Sequence, residues 1–399
     1  MIRQMMKICE LSTFEASFTE TTYWLAYFVC PIPIAMFLRR YSYSTGIITG
    51  LFIAAAGGLL FLPAAQVQHF GVYLCVFFVI ATGMCFIETA SNPYVTELGD
   101  ARTAPYRLNL AQSFFGLGAF VSAMFLSKAV LSGQTYTRDS IPADYTGGWE
   151  GYIQVETDAM KLPYIVFALV LIAVAILLMA VRLPKIGDEK TAAPKGKLID
   201  FSTLRYPHLR WGIIAQFFYN GGQTAINSLF LVYCCTYYGI DEQTATTFFG
   251  IYMLVFLIGR WVGTWLMAYF KPTGMLTVYG LACVALCAII AASGGRVGLY
   301  TMIALPFFMS IIYPTQFSLA LQGLGSRTKS GAAFLVMTIV ANACLPQLGA
   351  YVMQHNAHIY QIAYIIPMLC FAVCAWYGYR YKHILRGTNQ AEVTTEKNT

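Results

Sequence analysis

A carboxyl stands at Glu88, at the end of an apolar run that starts at Phe70 and carries no charge before it. Placing a charged side chain at such a depth of a membrane-length helix costs about 2.5–3.5 kcal/mol on insertion scales. A residue kept there at that cost is a functional candidate. In low dielectric the charged form of a carboxyl is disfavoured, so Glu88 is suited to pick up and release a proton. Asn92 follows four residues on, hence on the same helix face. Pro93 has no N–H and crowds the carbonyl of Thr89, which leaves an acceptor free beside that face. On the next apolar segment Asn109 and Gln112 are three apart. Together these side chains offer one proton-exchanging carboxyl surrounded by the donors and acceptors that a hexose requires. The alternative role for Glu88 is to tie helices together through a hydrogen bond.

The second half of the chain supplies a matching set. Asn220, Gln223 and Asn227 repeat at spacings of three and four, so they line one helical stripe, and Gly221 and Gly222 within it permit bending or close packing. Tyr313, Gln316 and Asn342 are further candidates, Tyr313 because an aromatic ring stacks on the apolar face of a sugar. Tyr27, Phe114 and Trp265 read as packing residues. Arg39, Arg40 and Arg260 read as charges at cytoplasmic helix ends that orient or gate, with snorkelling anchors as the alternative. His355 and His358 have the spacing of a metal pair but no third ligand nearby, so no metal is expected. The chain lacks a glycine-rich phosphate loop with Lys-Ser/Thr and a Ser/His/Asp set in one pocket, which argues against ATP-driven transport and against an enzyme. No cofactor other than the coupling proton is expected.

The elements that must position these residues are helices in a bilayer. The 399 residues are 58% hydrophobic and 11% charged, against about 25% charged in soluble domains, and the apolar residues come in blocks near the 20-residue span length. Eleven spans are expected, at about 18–38, 44–62, 70–96, 108–131, 160–182, 210–237, 243–268, 273–292, 297–321, 329–353 and 361–382, so the chain reads as an all-α polytopic membrane protein. The net charge of +7 sits in short loops and is not a nucleic-acid signal. The eleven cysteines lie almost entirely in the spans, and the longest polar loop has none, which argues against a disulfide framework or a zinc site. Basic residues concentrate in alternate loops and in the polar linker at 183–208, which by the positive-inside rule places the linker and the C-terminus in the cytoplasm and the acidic loop 132–158 outside. The linker separates an N-terminal helical half at 1–182 from a C-terminal half at 209–386, followed by a tail at 387–399.

The halves repeat one another. Pro93 followed by Leu98-Gly99-Asp100-Ala101-Arg102-Thr103 has a counterpart in Pro314 followed by Leu324-Gly325-Ser326-Arg327-Thr328, and the segment after Arg39-Arg40 has one in Lys271-Pro272-Thr273-Gly274. Parallel repeats joined by such a linker build transporters that hold substrate between the halves near the midplane. Glu88-Thr89-Ala90-Ser91-Asn92-Pro93 with Arg107-Leu108-Asn109-Leu110-Ala111-Gln112 resembles the signature of the L-fucose:proton symporter family, a sugar branch of the major facilitator superfamily. Gly259-Arg260-Trp261-Val262-Gly263-Thr264 and Ser310-Ile311-Ile312-Tyr313-Pro314-Thr315 resemble that family's eighth and tenth helices. The resemblance, which runs from about Phe18 to Arg386, implies two pseudo-symmetric halves of six helices and import of a monosaccharide with a proton. It implies that Glu88 handles proton and sugar, that Gln112 binds sugar, and that Tyr313 is the tenth-helix aromatic. It departs at Phe115, where the family often has an asparagine.

The expectation is thus a proton-coupled importer of L-fucose or a related hexose, monomeric, in the lipid bilayer of a bacterial inner membrane, working by alternating access. A sugar uniporter, a drug exporter, a non-transporting sensor and a truncated inactive fragment are the competing readings. Eleven spans with a cytoplasmic C-terminus would put Met1 outside, yet residues 1–17 are polar. The family's first helix is also unmatched, so a twelfth span upstream of Met1 is expected.

Overall fold

The structure, a computed structural model, describes residues 5–6, 8–122, 141–142, 146–181, 183–184, 186, 201–237, 239–293, 295–355 and 360–396. Among them the regular structure is helical. Nine spans are long and apolar enough to cross a membrane: Phe18–Arg40, Tyr43–Val67, Phe70–Glu97, Gly148–Ala180, Thr244–Leu266, Pro272–Ala292, Arg296–Leu321, Gly325–Gly349 and Ile362–Leu385. These answer nine of the eleven expected. The expectation at 210–237 meets a 26-residue helix, Pro207–Val232, whose polar stripe dilutes its apolar windows. The expectation at 108–131 meets Ala104–Val121 and runs on outside the described residues. The His355–His358 pair also escapes description, because the side chain of His355 and all of His358 lie outside it.

By compactness the chain divides into two units, Met1–Ala90 with Met124–Lys185, and Ser91–Ala123 with Ile186–Thr399. In the first unit lie α1 (Thr13–Val29), α2 (Pro31–Arg40), α3 (Tyr43–Val67), most of α4 (Phe70–Glu97) and α6 (Gly148–Ala180). Helix starts follow the local chemistry. Ser12 and Glu15 form a reciprocal capping box on α1, Pro31 occupies the first position of α2, and the Ser42 hydroxyl accepts from the Thr45 N–H to cap α3. One expected span at 18–38 is therefore two helices, broken at Cys30 by the proline that follows.

Small residues let α3 and α4 pack backbone to backbone. A Cβ on Gly83 would sit 2.3 Å from the Ala54 amide nitrogen, and one on Gly50 would sit 2.8 Å from the Gly83 carbonyl oxygen and 2.9 Å from the Ile87 nitrogen. This contact fixes the turn of α4 that ends in Glu88. On its other side α3 stacks Phe61 on Tyr164 of α6, ring centroids 4.0 Å apart. Helix α6 begins at Gly148, well before the expected 160, because Tyr152, Ile153 and Met160 bury a stripe against Phe61, Tyr73 and Phe77. The residues between were read as an external loop because Glu150, Glu156 and Asp158 dominate the local composition.

The second unit holds the end of α4 from Ser91, α5 (Ala104–Val121), α7 (Pro207–Val232), α8 (Glu242–Leu266), α9 (Pro272–Ala292), α10 (Gly295–Met309), α11 (Ile312–Leu321), α12 (Thr328–Met337), α13 (Ala341–His355) and α14 (Ile365–Glu396). Asp241 caps α8 through the Thr244 N–H, and prolines open α7 and α9. Helix α7 continues unbroken through Gly221 and Gly222, which serve close packing: a Cβ on Gly221 would meet Leu345 at 2.2 Å, and one on Gly222 would meet Cys370 at 2.8 Å. The span Arg296–Leu321 is broken between α10 and α11 at Ser310 and Ile311.

Candidate substrate and proton site

In the first unit Glu88 is half-buried on α4. Tyr23 and Tyr27 of α1 both lie within its electrostatic reach, as does Cys85 one turn back on α4. The two tyrosine rings stand 5.7 Å apart, and Tyr27 is buried, so this carboxyl faces phenols rather than hydrocarbon alone. Tyr27 was expected only to pack. Nothing in its sequence context distinguishes it, since no local pattern links a tyrosine of α1 to a carboxyl on α4. Arg39 and Arg40 occupy the last turn of α2, where cations complement the helix dipole; Arg39 is half-buried and Arg40 exposed.

In the second unit Asn92, Asn109 and Gln112 come together with Arg260. The Gln112 side chain donates from Nε2 to Asn92 Oδ1 at 3.0 Å. The Arg260 guanidinium donates from Nη1 to the Gln112 main-chain carbonyl at 2.8 Å and from Nε to the Ser310 carbonyl at 2.8 Å. It lies over the Phe256 ring at 4.6 Å. Pro314 explains the second bond. It has no N–H to offer the carbonyl four residues back, which is that of Ser310, and Arg260 supplies the missing donor. Arg260 is 2% exposed and lies inside α8, so it is no exposed helix-end anchor. A carbonyl pair substitutes for the water that a snorkelling arginine would seek.

Asn109 is fully buried and donates from Nδ2 to Thr315 Oγ1 at 3.1 Å and to the Pro105 carbonyl at 2.8 Å, with Met267 Sδ at 3.4 Å. Thr315 in turn donates to the Ile311 carbonyl. Two polar atoms of this cluster stay buried without a protein partner, Asn92 Nδ2 and Asn109 Oδ1. Arg107 holds the α4–α5 connection beneath them, donating to the carbonyls of Val95, Thr96 and Asp100 and to the Thr103 hydroxyl. In the sequence Arg107 stands out only as the first residue of the Arg107–Gln112 part of the signature, with no role of its own.

The remaining candidates are not gathered into that cluster. Asn220 donates to Thr338 Oγ1 at 3.0 Å, and Asn227 accepts from the Tyr252 hydroxyl at 2.7 Å, so both are engaged by the protein. Gln223 is half-buried between them, as is Asn342, whose Oδ1 has no protein partner. Tyr313 packs its ring 6.2 Å from Tyr219 and 6.0 Å from Phe317. Gln316 is fully buried, with both amide atoms unpartnered. Among the described residues no group of three or more His, Cys, Asp or Glu side chains is arranged to hold a metal. Taken each by itself, the amide cluster of the second unit can bind a hydroxyl-rich solute, and the half-buried carboxyl of the first unit can exchange a proton.

Apolar spans built around intramembrane amides and the carboxyl of Glu88 define a polytopic membrane transporter. The Major Facilitator Superfamily model matches residues 2–346, and the chain belongs to that superfamily, whose members are transporters and not enzymes, in the branch of the L-fucose-proton symporters. It is 36% identical over 378 residues to the L-fucose-proton symporter of Escherichia coli (strain K12), covering 94% of this chain and 86% of that one. It is 30% identical over 381 residues to the glucose/galactose transporter of Brucella abortus biovar 1 (strain 9-941), covering 95% and 88%. The crystal structure of the major facilitator transporter FucP in the outward conformation superposes with a TM-score of 0.86 at 35% identity, covering 95% of this chain and 92% of that one.

Proposed function

We propose that this protein imports a monosaccharide together with a proton across a bacterial inner membrane, with its C-terminus in the cytoplasm, by alternating access of two helical halves flanking the 183–208 linker. The observation that carries the reading is Gln112, whose amide bonds Asn92 while its main chain bonds a buried arginine. A bilayer tolerates such a cluster of buried polar groups where a polar solute or an ion uses it. Asn92, Asn109 and Gln112 form the sugar-binding face, with the orphaned Asn92 Nδ2 and Asn109 Oδ1 as the donor and acceptor that sugar hydroxyls satisfy. Tyr313 and the α7 stripe of Asn220, Gln223 and Asn227, with Asn342, complete the walls. Glu88 carries the proton, and Arg260, Arg39 and Arg40 act on the gating contacts. The names of relatives for L-fucose, glucose and galactose support a neutral hexose or 6-deoxyhexose as the substrate class. The test is uptake of labelled L-fucose, glucose and galactose into vesicles, with and without an inward proton gradient. Accumulation that ignores the gradient would remove the coupling, and indifference to all three sugars would remove the substrate class.

A further inference from the structure

Helix α7 carries Asn220 and Asn227 two turns apart, about 10 Å along its axis at about 1.5 Å per residue, with Gln223 between them. Each of the two amides is gripped from outside α7. Asn220 Nδ2 donates to Thr338 Oγ1 at 3.0 Å. Asn227 Oδ1 accepts from the Tyr252 hydroxyl at 2.7 Å. Thr338 opens the 3₁₀ turn Thr338–Val340 that follows α12, and Tyr252 stands inside α8. Both are buried.

The direction of each bond follows from the protons available. A threonine hydroxyl has a single proton, and that of Thr338 goes to the Leu335 carbonyl. Its oxygen can then only accept, so the atom of Asn220 that meets it must be the NH2 group. Turning this amide over would set two acceptors against each other. The Tyr252 phenol also has a single proton, and the Asn227 oxygen takes it. Turning that amide over would bring its NH2 against the phenol and strip a buried donor of its acceptor, which is costly. The Tyr252 ring is held in place as well. It stacks on Phe249 with centroids 5.4 Å apart at 9° and lies 5.1 Å from the Phe230 ring. In a planar amide the oxygen and the nitrogen point apart. Asn220 is therefore set with its acceptor turned away from Thr338, and Asn227 with its donor turned away from Tyr252.

We infer that Thr338 and Tyr252 are positioning residues that set the polarity of the α7 wall, an acceptor at Asn220 and a donor at Asn227. Neither has to touch the solute. A sugar hydroxyl that gives its proton to Asn220, and another that accepts one from Asn227, meet groups already oriented, and such preorganisation raises affinity by removing an ordering cost from binding. The same wall discriminates against an analogue that lacks either hydroxyl, because an oriented polar group is then left without a partner. The inference rests on the reading, proposed above, that the α7 stripe lines the sugar path.

Uptake kinetics with the transported sugar and its single-deoxy analogues test it, in the intact protein and in Tyr252→Phe, Thr338→Val and Thr338→Ser. In the unaltered protein, loss of the hydroxyl that meets Asn220 or of the one that meets Asn227 raises KM several-fold. Tyr252→Phe keeps the ring and frees the Asn227 amide; Thr338→Val keeps the shape and frees the Asn220 amide. Each should raise KM for the parent sugar several-fold with the maximal rate little changed. In each variant one deoxy analogue should escape that rise, and a different one in the two. This is a cycle between a protein hydroxyl and a sugar hydroxyl that do not meet; a merely structural loss would weaken every analogue alike. Thr338→Ser, which keeps the hydroxyl, should restore the unaltered pattern. KM reads only inserted protein, so poor expression does not imitate the effect, and either variant decides by itself. Equal weakening of all analogues, or a Thr338→Ser pattern like that of Thr338→Val, overturns the inference. An unaltered protein that takes up none of the sugars overturns the transport reading itself and this inference with it.

Discussion

Arg260 Nη1 donates to the main-chain carbonyl of Gln112 at 2.8 Å, so the residue proposed to bind sugar is held through its backbone by a buried charge on another helix. The same guanidinium caps the Ser310 carbonyl. Any movement of α5 past α8 and the α10–α11 break must release one or both bonds. Hydrogen bonds to charged groups contribute about 1.5–3 kcal/mol each. Arg260→Met removes both bonds and so should shift the balance of the states joined by that movement, and with it the maximal uptake rate, by at least about tenfold, since about 1.4 kcal/mol is a factor of ten. Arg260→Lys, which reaches only one carbonyl, should fall between. Initial rates over a range of sugar concentrations check this; an unchanged maximal rate in Arg260→Met would show that the contact does not gate.

Glu88→Gln keeps shape and hydrogen bonding but cannot release a proton. The expected outcome is loss of gradient-driven accumulation, with sugar exchange across the membrane retained. Counterflow and pH-driven uptake in the same vesicles separate the two. Normal accumulation by this variant would remove Glu88 as the proton carrier.

Gln112→Ala removes the amide that bonds Asn92 and strands a buried acceptor. The expected loss in sugar affinity is about 5- to 150-fold, corresponding to about 1–3 kcal/mol, in a protein that still inserts and folds. Titration calorimetry in detergent gives the affinity directly. An unchanged Kd takes Gln112 out of the site.

How much of this was legible beforehand depends on the range of each contact. Glu88, Asn92 and Gln112 stand out because a polar group in an apolar run is costly, whereas Pro31 lies inside an apolar run that reads as one span, so the break before it shows only in the fold. Pro314 carried a further message, the free Ser310 carbonyl, but only the fold shows that Arg260 answers it. An arginine six residues from a helix end looks the same in sequence whether it snorkels outward or turns inward. Asn109 and Thr315 are 206 residues apart, and no local pattern links them.

The contact that sets Glu88 in place is itself testable. Gly83 lies 2.3 Å, by its hypothetical Cβ, from the Ala54 backbone. Backbone cannot swing aside as a side chain can, so Gly83→Leu must force α3 and α4 apart. The expected result is a protein that inserts poorly or shows a strongly lowered Tm. Gly274→Ala, where an added Cβ meets nothing within 4 Å, should change Tm little. Equal Tm for the two variants would mean that the α3–α4 seam is not as tight as described.

Phe115 supplies the last expectation, on selectivity. It is 66% exposed and lies three residues beyond Gln112, within one turn of the proposed sugar-binding amide. An aromatic ring there offers a sugar hydroxyl no partner, and a hydroxyl buried without one costs about 1–3 kcal/mol. The same ring accommodates a methyl group without loss. The unaltered protein should therefore favour a 6-deoxyhexose over the parent hexose. Phe115→Asn, which restores a donor and an acceptor, should shift the ratio of uptake efficiencies toward the more hydroxylated sugar by about tenfold, the equivalent of about 1.4 kcal/mol. Competition between labelled L-fucose and unlabelled galactose, measured in both proteins, reads that ratio directly. Because the prediction concerns a ratio, a general loss of activity in the variant does not imitate it. An unchanged ratio would place Phe115 against lipid and not against the sugar.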